Sequence, residues 1–170
     1  MALSKIQAES MNLADTYAFS GTVSGTSVAG SAAFCARTTV DDWQSASNET
    51  IILFNDVSTG DCFDTDGVYN TSTYKFTAPA NGVYMFWYSV YTAMNDADNG
   101  FTFLKNSTKV NFSRVSSDKF ITFNGGETAD HIQNGTIIIP LASGNTMAVV
   151  AATQSDYYKA RCQWGGCRLA

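Results

Sequence analysis

One stretch of sequence, residues 82–92 (GVYMFWYSVYT), restricts the possible folds more than any other. Alternate side chains of a strand point to opposite faces, so Tyr84, Phe86 and Tyr88 share one face. The opposite face is also large and apolar, with residues Val83, Met85 and Trp87. An antiparallel sheet usually buries one face and leaves the other in water, so the second apolar face of this strand must also be buried by something that covers it. That cover is either a loop of the same chain or another subunit.

The chain from residue 33 onward has the pattern of a β domain. Segments rich in Val, Ile, Thr, Phe and Tyr alternate with clusters of Gly, Asn, Asp and Ser, as short strands alternate with turns. The candidate strands are residues 33–39, 51–57, 74–76, 82–92, 100–105, 109–114, 136–140, 146–153 and 157–169. No long stretch keeps the apolar period of about 3.6 residues that marks a helix. The sequence therefore predicts an all-β sandwich or jelly roll.

The composition favours another subunit as the partner that covers the second apolar face. Charged residues make up 15% of the chain, against about 25% in an average soluble protein, and 45% of residues are hydrophobic. Residues 51–54 and 147–152 are also apolar on both faces. The net charge of −5 argues against nucleic acid or an acidic lipid surface as partner. The longest apolar run is far shorter than the roughly 20 residues of a membrane-spanning helix. We therefore expect self-association, with neither nucleic acid nor membrane as partner.

Residues 1–32 differ in composition from the predicted domain of residues 33–170. Residues 20–32 carry no charge and include three glycines, a composition that opposes regular structure. Apolar anchors are scattered through the preceding part: Ile6, Met11, Leu13, Tyr17 and Phe19. We expect an N-terminal arm that becomes ordered on a partner. The first ten residues also lack the apolar core of a secretory signal.

Catalytic and metal-binding patterns are sparse. The cysteines are Cys35, Cys62, Cys162 and Cys167, and four cysteines allow three full pairings, among which the sequence does not choose. Free thiols are expected ahead of a disulfide, and a zinc site is not expected. The single histidine, His131, belongs to no motif that pairs a nucleophile with a base. We expect no enzymatic activity.

Two groups of residues are candidates for ligand binding. Asp61, Asp64 and Asp66 lie in one tight loop, which forms either a calcium site or a solvated turn. The calcium-loop pattern with a terminal glutamate is missing, so we expect the turn and no cofactor. Flat aromatic rings also stack on sugars, and the candidates for that role are Trp43, Tyr69, Tyr157, Tyr158 and Trp164. Trp43, in a predicted loop, is the leading candidate, whereas Trp164 is expected in the core.

Five ordered segments together resemble the globular head of complement C1q and the wider tumour-necrosis-factor-like superfamily. The most specific segment carries an aromatic residue, an Ala-Pro turn and then Gly-x-Tyr-x-Phe. The matching segments are residues 33–37 (AFCAR), 52–57 (ILFNDV), 74–86 (YKFTAPANGVYMF), 135–145 (GTIIIPLASGN) and 163–169 (QWGGCRL). The resemblance implies a ten-stranded antiparallel jelly-roll sandwich that assembles as a homotrimer. It also implies that the strand carrying Tyr84, Phe86 and Tyr88 contributes the trimer interface.

The arm is similar to leaders that precede head domains in virion and tail-fibre proteins of tailed phages and large aquatic viruses. This resemblance implies a virion structural protein, assembled in the host cytoplasm and exposed on the particle exterior. Its arm would fasten the head to a major capsid or tail protein, as a capsid decoration or cement protein, a fibre or a knob. The alternatives are an adhesion head that binds a host receptor or surface glycan, and a microbial C1q-like recognition protein.

Overall fold

The computed structural model describes residues 32–92, 99–110, 122–124, 131–152 and 155–170. The described ranges contain thirteen strands and one 3₁₀ turn, Lys159–Arg161, but no α-helix. The strands are β1 (Ala33–Arg37), β2 (Trp43–Ala46), β3 (Phe63–Asp64), β4 (Tyr69–Asn70), β5 (Lys75–Thr77), β6 (Gly82–Thr92), β7 (Asn99–Lys105), β8 (Thr108–Lys109), β9 (Thr122–Asn124), β10 (His131–Leu141), β11 (Thr146–Ala151), β12 (Ser155–Tyr158) and β13 (Gln163–Arg168). Within the same ranges, no helix is both long and apolar enough to cross a membrane.

The strands form two antiparallel sheets. The larger sheet contains β2, β12, β6, β13, β1 and β3 in that order, with β10 paired to β6. The smaller sheet runs β4, β5, β11, β7 and β8, with β9 paired to β7. Strand β6 pairs with β10 along its whole length and with β13 over residues 84–89. The expected all-β jelly-roll fold is confirmed, although the described strands outnumber the ten of the family because several contain only two or three residues.

The core fills the space between the two sheets. On β6 every second side chain, from Tyr84 to Thr92, points inward and is buried. The Phe86 ring lies 5.0 Å from Phe76, 6.4 Å from Phe103 and 6.1 Å from Trp164, measured between ring centroids. Because Phe76 and Phe103 belong to the smaller sheet and Phe86 and Trp164 to the larger, these rings join the two layers.

Two glycines let β13 approach β6 closely. A Cβ atom at Gly166 would overlap the Phe86 ring on the core side. A Cβ atom at Gly165 would lie 3.1 Å from the Trp87 indole and 2.7 Å from the Phe34 carbonyl oxygen. The large rings of β6 therefore use the space that side chains on β13 would otherwise occupy.

The two ends of the domain meet in the larger sheet. Strand β1 pairs with β13, with Ala33 opposite Cys167. The Arg168 N–H also donates a hydrogen bond to the Ala32 carbonyl oxygen (2.9 Å). The chain thus enters and leaves the domain on neighbouring strands.

Several predicted strands differ from the structure. Of the predicted strand 109–114, only Lys109 belongs to a strand, and residues 111–114 lie outside the described ranges. Residues 51–57 form no strand, because this segment crosses between the layers. Ile51 makes an isolated bridge to Val150 in the smaller sheet, and Asp56 makes one to Arg37 in the larger sheet. The predicted strand 157–169 is divided into β12 and β13 by the 3₁₀ turn. Trp43, expected in a loop, begins the edge strand β2.

Candidate interaction site

The outward face of the larger sheet is apolar around the middle of β6. The register places Met85 between Ile138 on β10 and Cys167 on β13. The next outward position, Trp87, lies between Thr136 and Gly165. Ile138 is 63% exposed, and Met85 and Trp87 are half-buried. We call this surface of Met85, Trp87 and Ile138 the apolar face.

A cavity of about 270 Å³ opens beside the apolar face. Its lining residues come from four strands and the loop before β3; those with side chains on this surface are Cys35, Asp61, Phe63, Met85, Trp87 and Cys167. Phe63 is exposed, although it is a large aromatic residue. The cavity is therefore a shallow apolar depression of a size that accepts one or two side chains from another molecule.

A polar row borders the apolar face. The register aligns Ser89 of β6 with Asn134 and Gln163. Gln163 lies opposite Arg37, whose Nε donates to Asp56 Oδ2 at 3.1 Å. The Ser58 backbone N–H donates to the Asp56 carboxylate at 2.8 Å and, together with other donors, holds the pKa of Asp56 well below its usual range. This hydrogen-bonded carboxylate ties Arg37 to the crossing segment at residues 51–57.

An aromatic cluster lies at the other end of the same sheet. Trp43 is 40% exposed and makes an edge-to-face contact with Tyr158, with centroids 5.2 Å apart. Tyr91 lies 6.0 Å from Trp43, and the Arg161 guanidinium lies 4.8 Å from the centre of the Tyr91 ring. The Tyr158 hydroxyl donates to Asp41 Oδ1 at 2.6 Å, which raises the pKa of Tyr158. We call Trp43, Tyr91, Tyr158 and Arg161 the aromatic cluster.

The side chains predicted to form the trimer interface lie inside the domain. Tyr84, Phe86 and Tyr88 are at most 1% exposed within a single chain. Tyr84 donates a hydrogen bond to the Ala80 carbonyl oxygen and Tyr88 donates one to the Phe101 carbonyl oxygen. These side chains are buried within one chain and unavailable to another subunit, so the prediction that they form the trimer interface is wrong.

Of the two leading ligand-binding candidates, one is exposed and the other is buried. Trp43 is exposed, as expected, but Tyr69 is buried in the core. Its hydroxyl donates to the Phe54 carbonyl oxygen at 2.8 Å, and its ring stacks on Phe34 with centroids 4.9 Å apart. The proposal that Tyr69 stacks on a ligand is therefore wrong.

Asp64, one of the three residues of the candidate calcium loop, stabilises a turn. Asp64 Oδ1 accepts the Val68 N–H at 2.9 Å, and Oδ2 accepts the Tyr69 N–H at 3.0 Å. This carboxylate holds the turn that joins β3 to β4. In the part of the chain that the structure describes, no three His, Cys, Asp or Glu side chains come together as metal ligands.

Some predicted residues lie outside the described ranges. These are the arm anchors Ile6, Met11, Leu13, Tyr17 and Phe19. The backbone of His131 begins β10, and its side chain lies outside the description as well.

Sequence reasoning missed most of the site. Phe63, Ile138 and Cys167 reach the surface around Met85 and Trp87 only because their strands are neighbours in the sheet. The position of Ile138 could have been predicted from the alternation of β10. Ile138 is exposed, and its neighbours Ile137 and Ile139 are more buried. Nothing in the local sequence marks Arg161 as a partner of Tyr91.

The structure defines a two-layered jelly-roll head with an apolar face on one sheet. The family model of the C1q domain matches residues 33–163, and the chain belongs to this family. No curated protein sequence matches the chain.

Solved structures share the fold at low sequence identity. The globular domain of the zebrafish complement 1qA protein is 14% identical, with a TM-score of 0.55 over 82% of this chain and 98% of that one. The Eiger TNF of S. frugiperda is 10% identical, with a TM-score of 0.54 over 84% and 94%. Murine APRIL is also 10% identical, with a TM-score of 0.54 over 81% and 98%.

Proposed function

We propose that this chain is a non-enzymatic head domain that assembles as a homotrimer through the apolar face. The observation that carries the proposal is the exposure of Ile138 beside the half-buried Met85 and Trp87, next to a depression lined by Phe63. Burying apolar surface contributes about 25 cal/mol per Å², so covering such a face favours association. The family resemblance supports three-fold symmetry. In such a ring each subunit uses one surface to meet a different surface of its neighbour.

The solution mass of the full chain tests this proposal. A trimer has a mass of about 55 kDa, three times the 18.3 kDa of one chain. Replacing Ile138 by aspartate places a charge on the apolar face without disturbing the core, and we expect the mass to fall towards that of a monomer. The matched control is Val40→Asp, because Val40 is exposed in the connection between β1 and β2, away from this face. A monomeric wild-type chain would overturn the proposal.

A more specific proposal is that the trimer is attached to a virus particle. The anchors of residues 1–32 would dock on a neighbouring virion protein, and three arms per trimer would multiply the avidity. Its support is the resemblance of the arm to leaders of virion proteins. Deleting residues 1–32 should leave the trimer intact but abolish its incorporation into particles. Particles that carry the shortened protein at full occupancy would refute this fastening role.

A second candidate function is adhesion to a host-surface glycan, and the aromatic cluster favours it. Trp43 offers an exposed ring on an edge strand, beside the carboxylates of Asp41 and Asp42. Such a ring can cover the apolar face of a sugar. A glycan array with wild-type protein and Trp43→Ala tests this role. Glycan binding that the variant loses would support adhesion, and an array without signal would count against it.

A further inference from the structure

Two cysteines lie at one side of the cavity beside the apolar face. Cys35 on β1 is the register partner of Phe63 on β3, and Cys62 directly precedes Phe63. Cys35 and Cys62 are free thiols in the structure, and their side chains lie near enough to influence each other electrostatically. Residues that neighbour a register pair have Cα atoms roughly 5–7 Å apart, a separation that a disulfide spans when the two side chains face each other. Cys62 lies just before the first residue of β3, so the alternation of that strand does not turn its side chain away from Cys35. We propose that Cys35 and Cys62 form a specific intramolecular disulfide.

The remaining cysteines are excluded as partners by their positions. Cys167 shares the outward face with Cys35, but the register puts it opposite Ala33, so the two are diagonal neighbours. Diagonal side chains on adjacent strands are farther apart than the roughly 4 Å between Cβ atoms that a disulfide requires. Cys162 points into the core, where its Sγ donates to the Tyr158 carbonyl oxygen at 3.0 Å. Burial raises the pKa of Cys162 to about 12, so it is protonated and unreactive.

The chemistry requires an oxidant, for which a small disulfide such as oxidised glutathione suffices. The Cys62 thiolate attacks one sulfur of that disulfide, forms a mixed disulfide and releases one glutathione thiol. The Cys35 sulfur then loses its proton, attacks the Cys62 sulfur and releases the second glutathione. Two cysteine thiols are oxidised and one oxidised glutathione is reduced to two thiols.

The environment of Cys35 makes Cys62 the thiol that attacks first. Burial, helped by the neighbouring Cys62 and Asp61, raises the pKa of Cys35 to about 11. Little Cys35 is therefore present as thiolate, and it reacts poorly with glutathione disulfide from solution. A mixed disulfide on Cys62, by contrast, lies directly beside the Cys35 sulfur. The bond would anchor the loop around Asp61, which lines the cavity, to β1. The pairing does not depend on the proposed trimer.

Peptide mapping of the full chain tests the pairing. The purified protein is incubated with oxidised glutathione at pH 8, its remaining thiols are alkylated in urea so that the buried Cys162 is also labelled, and it is digested with trypsin without reduction. The expected product joins peptide 6–37 to peptide 38–75, while peptide 162–168 carries two alkylated cysteines. Cys35→Ser and Cys62→Ser should each abolish the joined peptide, and Cys167→Ser, the matched control, should retain it.

Thermal unfolding supplies a second readout. In the chain-entropy account a loop of this size gives a rise in Tm of roughly 6–12 °C upon oxidation. Cys62→Ser should match the wild type under reducing conditions and show no such rise under oxidising ones. The proposal is overturned if Cys35 is joined to Cys167, if both cysteines carry only glutathione, or if the thiols remain fully alkylated after oxidation.

Discussion

Replacing Phe86 by alanine should strongly destabilise the domain. The Phe86 side chain is fully buried and packs against Phe76, Phe103 and Trp164. A buried aromatic side chain covers roughly 150–250 Å², worth about 4–6 kcal/mol at 25 cal/mol per Å². Part of this burial is kept by the alanine, and measured Phe-to-Ala losses in cores are about 3–5 kcal/mol. We expect a loss of about 4 kcal/mol in the free energy of unfolding.

Urea denaturation followed by tryptophan fluorescence measures this loss. The matched control is Val83→Ala, because Val83 is an exposed residue of the same strand and lies outside the apolar face. At the same protein concentration, Val83→Ala should destabilise the fold much less than Phe86→Ala does. A loss below about 1.5 kcal/mol for Phe86→Ala would refute the argument, especially if that variant changed only its oligomeric mass. Phe86 would then face a partner and not the core.

Three further predictions concern the fold and the sheet ends. Gly166→Ala should lower the free energy of unfolding by about 1–3 kcal/mol, because the added methyl group would overlap the Phe86 ring. Chemical denaturation measures this loss, and unchanged stability would contradict the close packing of β13 against β6. The folded-state pKa of Asp56 is depressed, chiefly by the Ser58 N–H, so its stabilising effect is present above pH 4 and is lost as the pH falls further. Thermal midpoints of Asp56→Asn should therefore depend less on pH between 4 and 2 than those of the wild type, and parallel curves would refute this. Arg161→Ala should cost about 0.5–1 kcal/mol, because the cation lies over two tyrosine rings, and a loss near zero would show that these contacts contribute nothing.

The sequence predicted the bounds of β6 correctly because a segment rich in valine and aromatic residues is bounded by turn residues on both sides. It also identified two apolar faces, but alternation does not show which face meets the other sheet. That choice depends on Phe76, Phe103 and Trp164, which belong to other strands and meet Phe86 only in the folded domain. Residues 51–57 misled the prediction for a related reason. An apolar run describes burial, and burial can also be reached by a segment that crosses between two layers.

The site was harder to predict than the fold. Trp43 was identified as an exposed aromatic residue, but its neighbours Tyr91 and Tyr158 come from strands that the sheet order brings together. The same applies to Cys35 and Cys62, whose proximity depends on the pairing of β1 with the two-residue strand β3. A strand this short carries no period that a sequence pattern can detect.

The neighbouring entry and exit strands make the domain an insertable module. Since β1 and β13 are hydrogen-bonded partners, a short linker between their ends would close the chain, and new termini could be opened at an exposed turn such as the one around Gly144. The domain could equally be placed within a surface loop of another protein, because its two attachment points occupy little more than one inter-strand spacing. Anything fused at either end would leave from the same place, and the turns remote from it would stay free.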